Sequence, residues 1–136
     1  MKHEILIYNK TRKKIPKEFI EGVILRALEF LKIKQPVEMA VLVVGKDEIK
    51  RLNKIWRNKN EIPDELSFGL NSRKIKTLAK PNNNMLNLGE IVINGEKISD
   101  KNHLKEILVH SLLHLLRHKH GQMEHLEDKI LNYLNI

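Results

Sequence analysis

The chain contains no cysteine. Disulfide-stapled secreted scaffolds and the thiolate zinc sites of finger and ribbon proteins are thereby excluded. Aromatic residues make up only 4% of the sequence, too few for the extensive base stacking by which sheet-surface proteins hold single strands. No apolar run approaches the roughly 20 residues that cross a bilayer. The opening residues, MKHEILIYNK, are broken by charge from the start. They show neither the apolar stretch of a signal peptide nor the amphipathic pattern of a transit segment. The expectation is a cytoplasmic globular protein with no membrane association. One further absence is local: residues 66–89 contain no acidic side chain.

What is present is strongly basic. Over 136 residues the formal net charge is +8, which favours a polyanionic partner, most often nucleic acid. The positive charge is clustered. Lys10, Arg12, Lys13, Lys14 and Lys17 form one group, and Lys50, Arg51, Lys54, Arg57 and Lys59 a second. Arg73, Lys74, Lys76 and Lys80 fall in the acid-free stretch. With so few aromatics, phosphate contact should dominate any such binding. The length suits a single domain covering residues 1–136 with a core of its own, and there is no internal repeat or long linker.

Hydrophobic patterning predicts strands over 4–8, 37–44, 65–70 and 89–94. Pro16 suits a first helical position, and Phe19, Ile20, Val23, Ile24, Ala27 and Leu31 behind it form a helical stripe. Residues 47–57 read as a helix with Ile49, Leu52 and Trp56 inward, and residues 71–87 as a long polar loop. Residues 104–116 read as a helix that is apolar on nearly every side, hence central and buried. A last helix turns Met123, Leu126, Ile130, Tyr133 and Leu134 inward. Strands and helices mixed without strict alternation predict an α+β domain of about four strands.

Six of the seven histidines lie between His103 and His125, and the run HSLLHLLRHKH carries His110, His114 and His120. Residues four apart on a helix are stacked with a rise of about 6 Å, so both imidazoles can reach one ion at roughly 2.0–2.1 Å. A lone histidine on such a helix is ordinarily a satisfied core residue or part of a solvated groove. For a pair on an apolar helix, each ring nitrogen needs a partner. Leaving one buried without it costs on the order of 1–3 kcal/mol, and a single cation satisfies both. His118 and His120 are the two choices for a third ligand. On a straight helix they would lie about 12 and 15 Å along the axis from His110, beyond a shared site. The helix must therefore stop near Leu116 or Arg117 and turn back. His120 then closes the site, and His118 points into the turn or to solvent. His125 is expected to be exposed or a local hydrogen-bond partner.

Three neutral nitrogen ligands leave the fourth zinc position open, the mark of a catalytic site. Such an ion lowers the pKa of water to about 7. The metalloprotease helix has Glu directly after its first His as general base; here that residue is Ser111. With the basic surface, this favours a phosphodiester over a peptide. A protease would need a carboxylate base from elsewhere, such as Glu90 or Asp64.

HSLLHLLRHKH resembles the H-G-x-L-H-L-x-G-Y-D-H signature of the YbeY family of bacterial zinc-dependent endoribonucleases. Four further segments add to it. Leu52-Asn53-Lys54-Ile55-Trp56-Arg57-Asn58-Lys59 resembles the family's L-N-x-x-Y-R-x-K segment. Asp64-Glu65-Leu66-Ser67-Phe68 resembles its T-D-V-L-S-F strand, and Leu88-Gly89-Glu90-Ile91-Val92-Ile93 its L-G-D-I-V-I strand. Met123-Glu124-His125-Leu126-Glu127 resembles the start of its last helix. The resemblance implies an α+β fold: a small mixed β-sheet of about four strands packed with the metal-bearing helix at its centre and other helices. It implies hydrolysis of single-stranded RNA, in small-subunit ribosomal RNA 3′-end maturation and ribosome quality control. One Zn2+ would be held by His110, His114 and His120 with water. Arg57 and His114 are the candidate catalytic residues, and Arg57, Lys59, Arg73 and Lys76 the candidate RNA-binding residues. Ser111 stands at the family's Gly, Arg117 at its turn Gly, His118-Lys119 at its Tyr-Asp, and Pro63 at its Thr. The alternative is a non-catalytic, zinc-stabilised assembly factor that binds ribosomal RNA or a ribosomal protein.

Overall fold

The computed structural model describes residues 2–69, 85–116 and 120–135, without the side chains of 120–122. Its centre is β2 (Val37–Val44), whose eight residues are all buried. A near-continuous apolar strand such as VEMAVLVV suits a parallel strand covered on both faces, and that is its setting. Among the described residues the sheet has four strands in the order β1-β2-β4-β3. β1 (Glu4–Asn9) and β4 (Leu86–Asn94) flank β2 in parallel. β3 (Glu65–Phe68) closes the far edge antiparallel to β4. The α+β expectation therefore holds, as does the strand count.

Helices cover both faces, and the alternation of β2 shows which residues meet them. Val37, Met39, Val41 and Val43 join Ile91 and Ile93 in the larger core, packed with α1 (Lys17–Phe30), α3 (Lys101–Leu115) and α4 (His120–Leu134). Ala40, Leu42 and Val44 join Leu66, Phe68 and Val92 on the other face, beneath Ile49 of α2 (Lys46–Arg57). Leu52 and Trp56 pack half-buried against that second cluster. Fully buried side chains such as Leu108, Leu112 and Leu113 of α3 each contribute roughly 1.5–3 kcal/mol of burial free energy. Among the described residues no helix is long and apolar enough to cross a membrane.

Local chemistry sets the element ends. The Asp100 carboxylate accepts from the backbone N–H groups of Asn102 (3.0 Å) and His103 (3.2 Å), a cap worth about 1 kcal/mol. This starts α3 three residues before the predicted 104. At the end of α2, Asn58 takes a left-handed conformation (φ 54°), and the Lys59 N–H reaches back to the Asn53 carbonyl at 3.3 Å. That Schellman-like stop fixes where Arg57, the last residue of the helix, stands.

β4 departs from expectation. It begins at Leu86, so Leu86 and Asn87 belong to the strand and not to the predicted 71–87 loop. The Leu86 N–H donates to the Pro36 carbonyl at 2.8 Å, a pairing with the chain before β2 that no local pattern reveals. Register then slips by one residue, Glu38 facing Asn87 and Met39 facing Gly89, which makes Leu88 the bulged position. Gly89 has φ 104°, and a Cβ there would meet the Phe68 carbonyl oxygen at 2.1 Å. Only glycine lets β3 approach this closely. β3 ends at Phe68, short of the predicted 70. At the N-terminal edge, His3 Nδ1 accepts from the Val37 N–H at 2.8 Å. Burial, then the positive N-terminus, lowers the His3 pKa below its ordinary 6.5.

Candidate active site

α3 is buried along most of its circumference, but one stripe is open. His103 and His110 are half-buried, and Glu106 and His114 are exposed. Their spacings of three, four and four follow one helical face. The histidines therefore line an open face, and the expectation that they interrupt a wholly buried helix is corrected. The helix stops as predicted: Leu115 is its last residue, Leu116 the cap, and α4 starts at His120.

The two rings converge. His110 Nε2 and His114 Nε2 are 3.0 Å apart, with ring centroids at 4.5 Å and planes at 77°. Two nitrogens bound to one tetrahedral zinc at roughly 2.0–2.1 Å would lie about 3.3 Å apart. A few tenths of an ångström separate the observed pair from that geometry, so these residues fit two positions of a zinc site. The other nitrogen of His110, Nδ1, contacts Glu127 Oε1 of α4. Among the described residues no group of three His, Asp or Glu side chains comes together as a metal cage. The predicted third ligand, His120, opens α4, and its side chain lies outside the described residues.

Two recesses flank this stripe. One, of about 420 Å³, is lined by Trp56, Arg57, Glu65, Phe68, Gly69 and His114, among others. It brings together the two candidate catalytic residues, Arg57 from the end of α2 and His114 from α3. Lys50, Lys54 and Arg57 are exposed along α2, so a basic stripe runs along that helix to the recess. Lys59 is exposed just beyond the helix stop and does not line this recess. The second recess, of about 480 Å³, is acidic: Asp64, Glu65, Glu106, Glu127 and Asp128 line it with His110. Arg73 and Lys76 lie outside the described residues, as does His118. His125 is exposed on α4, one of the two outcomes expected for it.

Glu65 walls both recesses and was not singled out from sequence. Its Oε2 accepts from Ser67 Oγ at 2.9 Å and from the fully buried Ser111 Oγ at 2.8 Å. One signal was available. Ser111 replaces the glycine of the signature, and Glu65 stands where the strand pattern T-D-V-L-S-F has valine. The two departures face each other. Asp64 makes a separate contact at the start of α3, 2.8 Å from His103 Nε2, with Lys97 Nζ at 4.0 Å from its other oxygen.

The family model described as Endoribonuclease YbeY matches residues 6–135. The chain belongs to the YbeY family. A Listeria monocytogenes protein named Endoribonuclease YbeY is 31% identical over 145 aligned positions, covering 94% of this chain and 88% of its own length. A Thermodesulfovibrio yellowstonii protein of the same name is 32% identical, covering 80% of this chain and 76% of its own. The solution structure of a Thermotoga maritima protein superposes with a TM-score of 0.57 at 22% identity, over 93% of this chain and 86% of that one. That likeness concerns the fold. The YbeY match spans the histidine helix, the α2 stop bearing Arg57 and both strands beside them, the elements from which the site is built.

Proposed function

We propose that this chain is a metal-dependent endoribonuclease that cuts single-stranded RNA. In this reading it acts in the cytoplasm on small-subunit ribosomal RNA, in 3′-end maturation and ribosome quality control. The observation that carries the reading is the shared recess: Arg57 and His114 line one cavity, in a chain of the YbeY family. His110, His114 and His120 would hold one zinc ion. When bound, that ion supplies Lewis acidity for activating water and polarising a phosphoryl oxygen. The guanidinium of Arg57 can grip a phosphate through two parallel hydrogen bonds and offset negative charge as it grows in the transition state. Lys59, Arg73 and Lys76, with the exposed cations of α2, would hold the flanking backbone, a sequence-independent and salt-sensitive role. Glu65, fastened by two hydroxyls, keeps the wall between α3 and β3 in one position.

The test is cleavage of a single-stranded RNA by purified protein with added zinc. His114→Ala should reduce cutting to background. Cutting that survives this substitution would overturn the metal reading. A second reading has one feature in its favour, Lys119 at the position of the family's Asp. An acidic neighbour of the last histidine has become a cation, which weakens metal affinity. In that reading the protein is a non-catalytic assembly factor that binds ribosomal RNA or a ribosomal protein. Wild-type protein that binds RNA tightly but never cuts it would favour this alternative.

A further inference from the structure

We propose that Glu127 is a positioning residue that fixes the tautomer and ring orientation of His110 for metal binding. The proposal rests on the zinc reading above and concerns a residue to which that reading gives no part. An ionised carboxylate only accepts hydrogen bonds. Its contact with His110 Nδ1 therefore requires the proton to sit on Nδ1. In the neutral ring the lone pair is then on Nε2, the atom that faces His114 Nε2 at 3.0 Å. A histidine free to choose its tautomer presents that lone pair only part of the time. Carboxylates that accept from the far nitrogen of a metal-bound imidazole perform this service in many zinc sites.

Three features separate this contact from an incidental surface pair. Glu127 belongs to α4 and His110 to α3, so it ties the returning helix to the histidine helix. The Glu127 side chain is only 23% exposed, against 41% for His110, so the carboxylate is largely withdrawn from solvent while the imidazole stays accessible. The contact is also made by the nitrogen that points away from the second imidazole. His103 offers an internal contrast. It too meets a carboxylate, Asp64, at 2.8 Å, but no neighbouring imidazole faces it among the described residues.

The experiment measures zinc affinity by chelator competition, and the His110 tautomer by nitrogen-15 NMR of the metal-free protein. Wild type should bind one zinc and carry the His110 proton on Nδ1. Glu127→Ala should lose that tautomer preference and bind zinc about 10–100-fold more weakly. Glu127→Gln keeps an acceptor of the same shape, so the Nδ1 proton should remain while zinc affinity falls severalfold. Asp64→Asn, which disrupts the matching pair on His103, should leave zinc affinity within about twofold. Unchanged zinc affinity in both Glu127 variants, an unchanged tautomer in E127A, or an equal fall in D64N would overturn the proposal. Should E127A fail to fold, E127Q decides alone, and zinc binding as tight as wild type would end the idea. Wild type that binds no zinc would sink the underlying metal reading instead, and the tautomer measurement would still decide what Glu127 does.

Discussion

The recess that holds Arg57 and His114 and the recess that holds His110 and Glu127 share a wall, Glu65, but differ in charge: Arg57 balances Glu65 in the first, and carboxylates dominate the second. The first is reached along the basic stripe of α2; the second is ringed by five carboxylates. In the proposed function phosphate would be drawn to the first side and repelled from the second, because like and unlike charges a few ångströms apart differ in energy by several kcal/mol at intermediate dielectric. Two histidines on one helical face thus meet two environments. His114 faces the side an anionic substrate can enter. His110 is turned toward carboxylates, which suit the orientation of a ligand and not the grip of a substrate. The difference teaches that identical side chains one turn apart can be given different surroundings by their neighbours alone, and in the proposed function those surroundings would divide the work.

The largest effect that could break this comparison is at Arg57. Arg57→Ala should lower kcat for RNA cleavage by about 10²–10³-fold, and Arg57→Lys should restore only part, since an ammonium cannot make the bidentate grip. Asp128→Asn, in the acidic recess, should leave kcat within about twofold. Equal losses in single-turnover kinetics would show that the recesses do not divide the work. Gly89→Ala should come next, destabilising the protein by roughly 1–3 kcal/mol in denaturant melts, because a Cβ would drive into the Phe68 carbonyl of the Arg57-side wall. Unchanged stability would show that β3 yields freely, and the wall would then be soft. Smallest is Ser111→Ala. It removes one of two hydroxyls on Glu65 and should cost roughly 1–2 kcal/mol with a modest loss of cleavage. A variant as stable as wild type would mean that Ser67 alone secures the partition.

Much of this molecule was legible in its residues. β2 matches its predicted bounds because seven apolar residues in the eight positions between Pro36 and Gly45 leave little else possible. The stop of the histidine helix follows from distance along an axis, and it falls at Leu115. Other features were hidden for physical reasons. The first residues of β4 follow a run of asparagines and become strand through pairing with Pro36 and Val37, a tertiary effect. The contacts of Glu65 and Glu127 span 46 and 17 residues of chain, so neither could be read from neighbours in sequence. The openness of the histidine stripe lies between these cases. The spacing of His103, Glu106, His110 and His114 was available, but the apolar residues around them suggested burial on all sides.

Because β2 is enclosed along its whole length and α3 lies against its face of the sheet, the frame under the two imidazoles belongs to the most protected part of the chain. Its amide protons should exchange with solvent only through the largest opening the molecule undergoes. The spacing of the two rings should therefore persist through local fraying elsewhere, and be lost together with the fold itself.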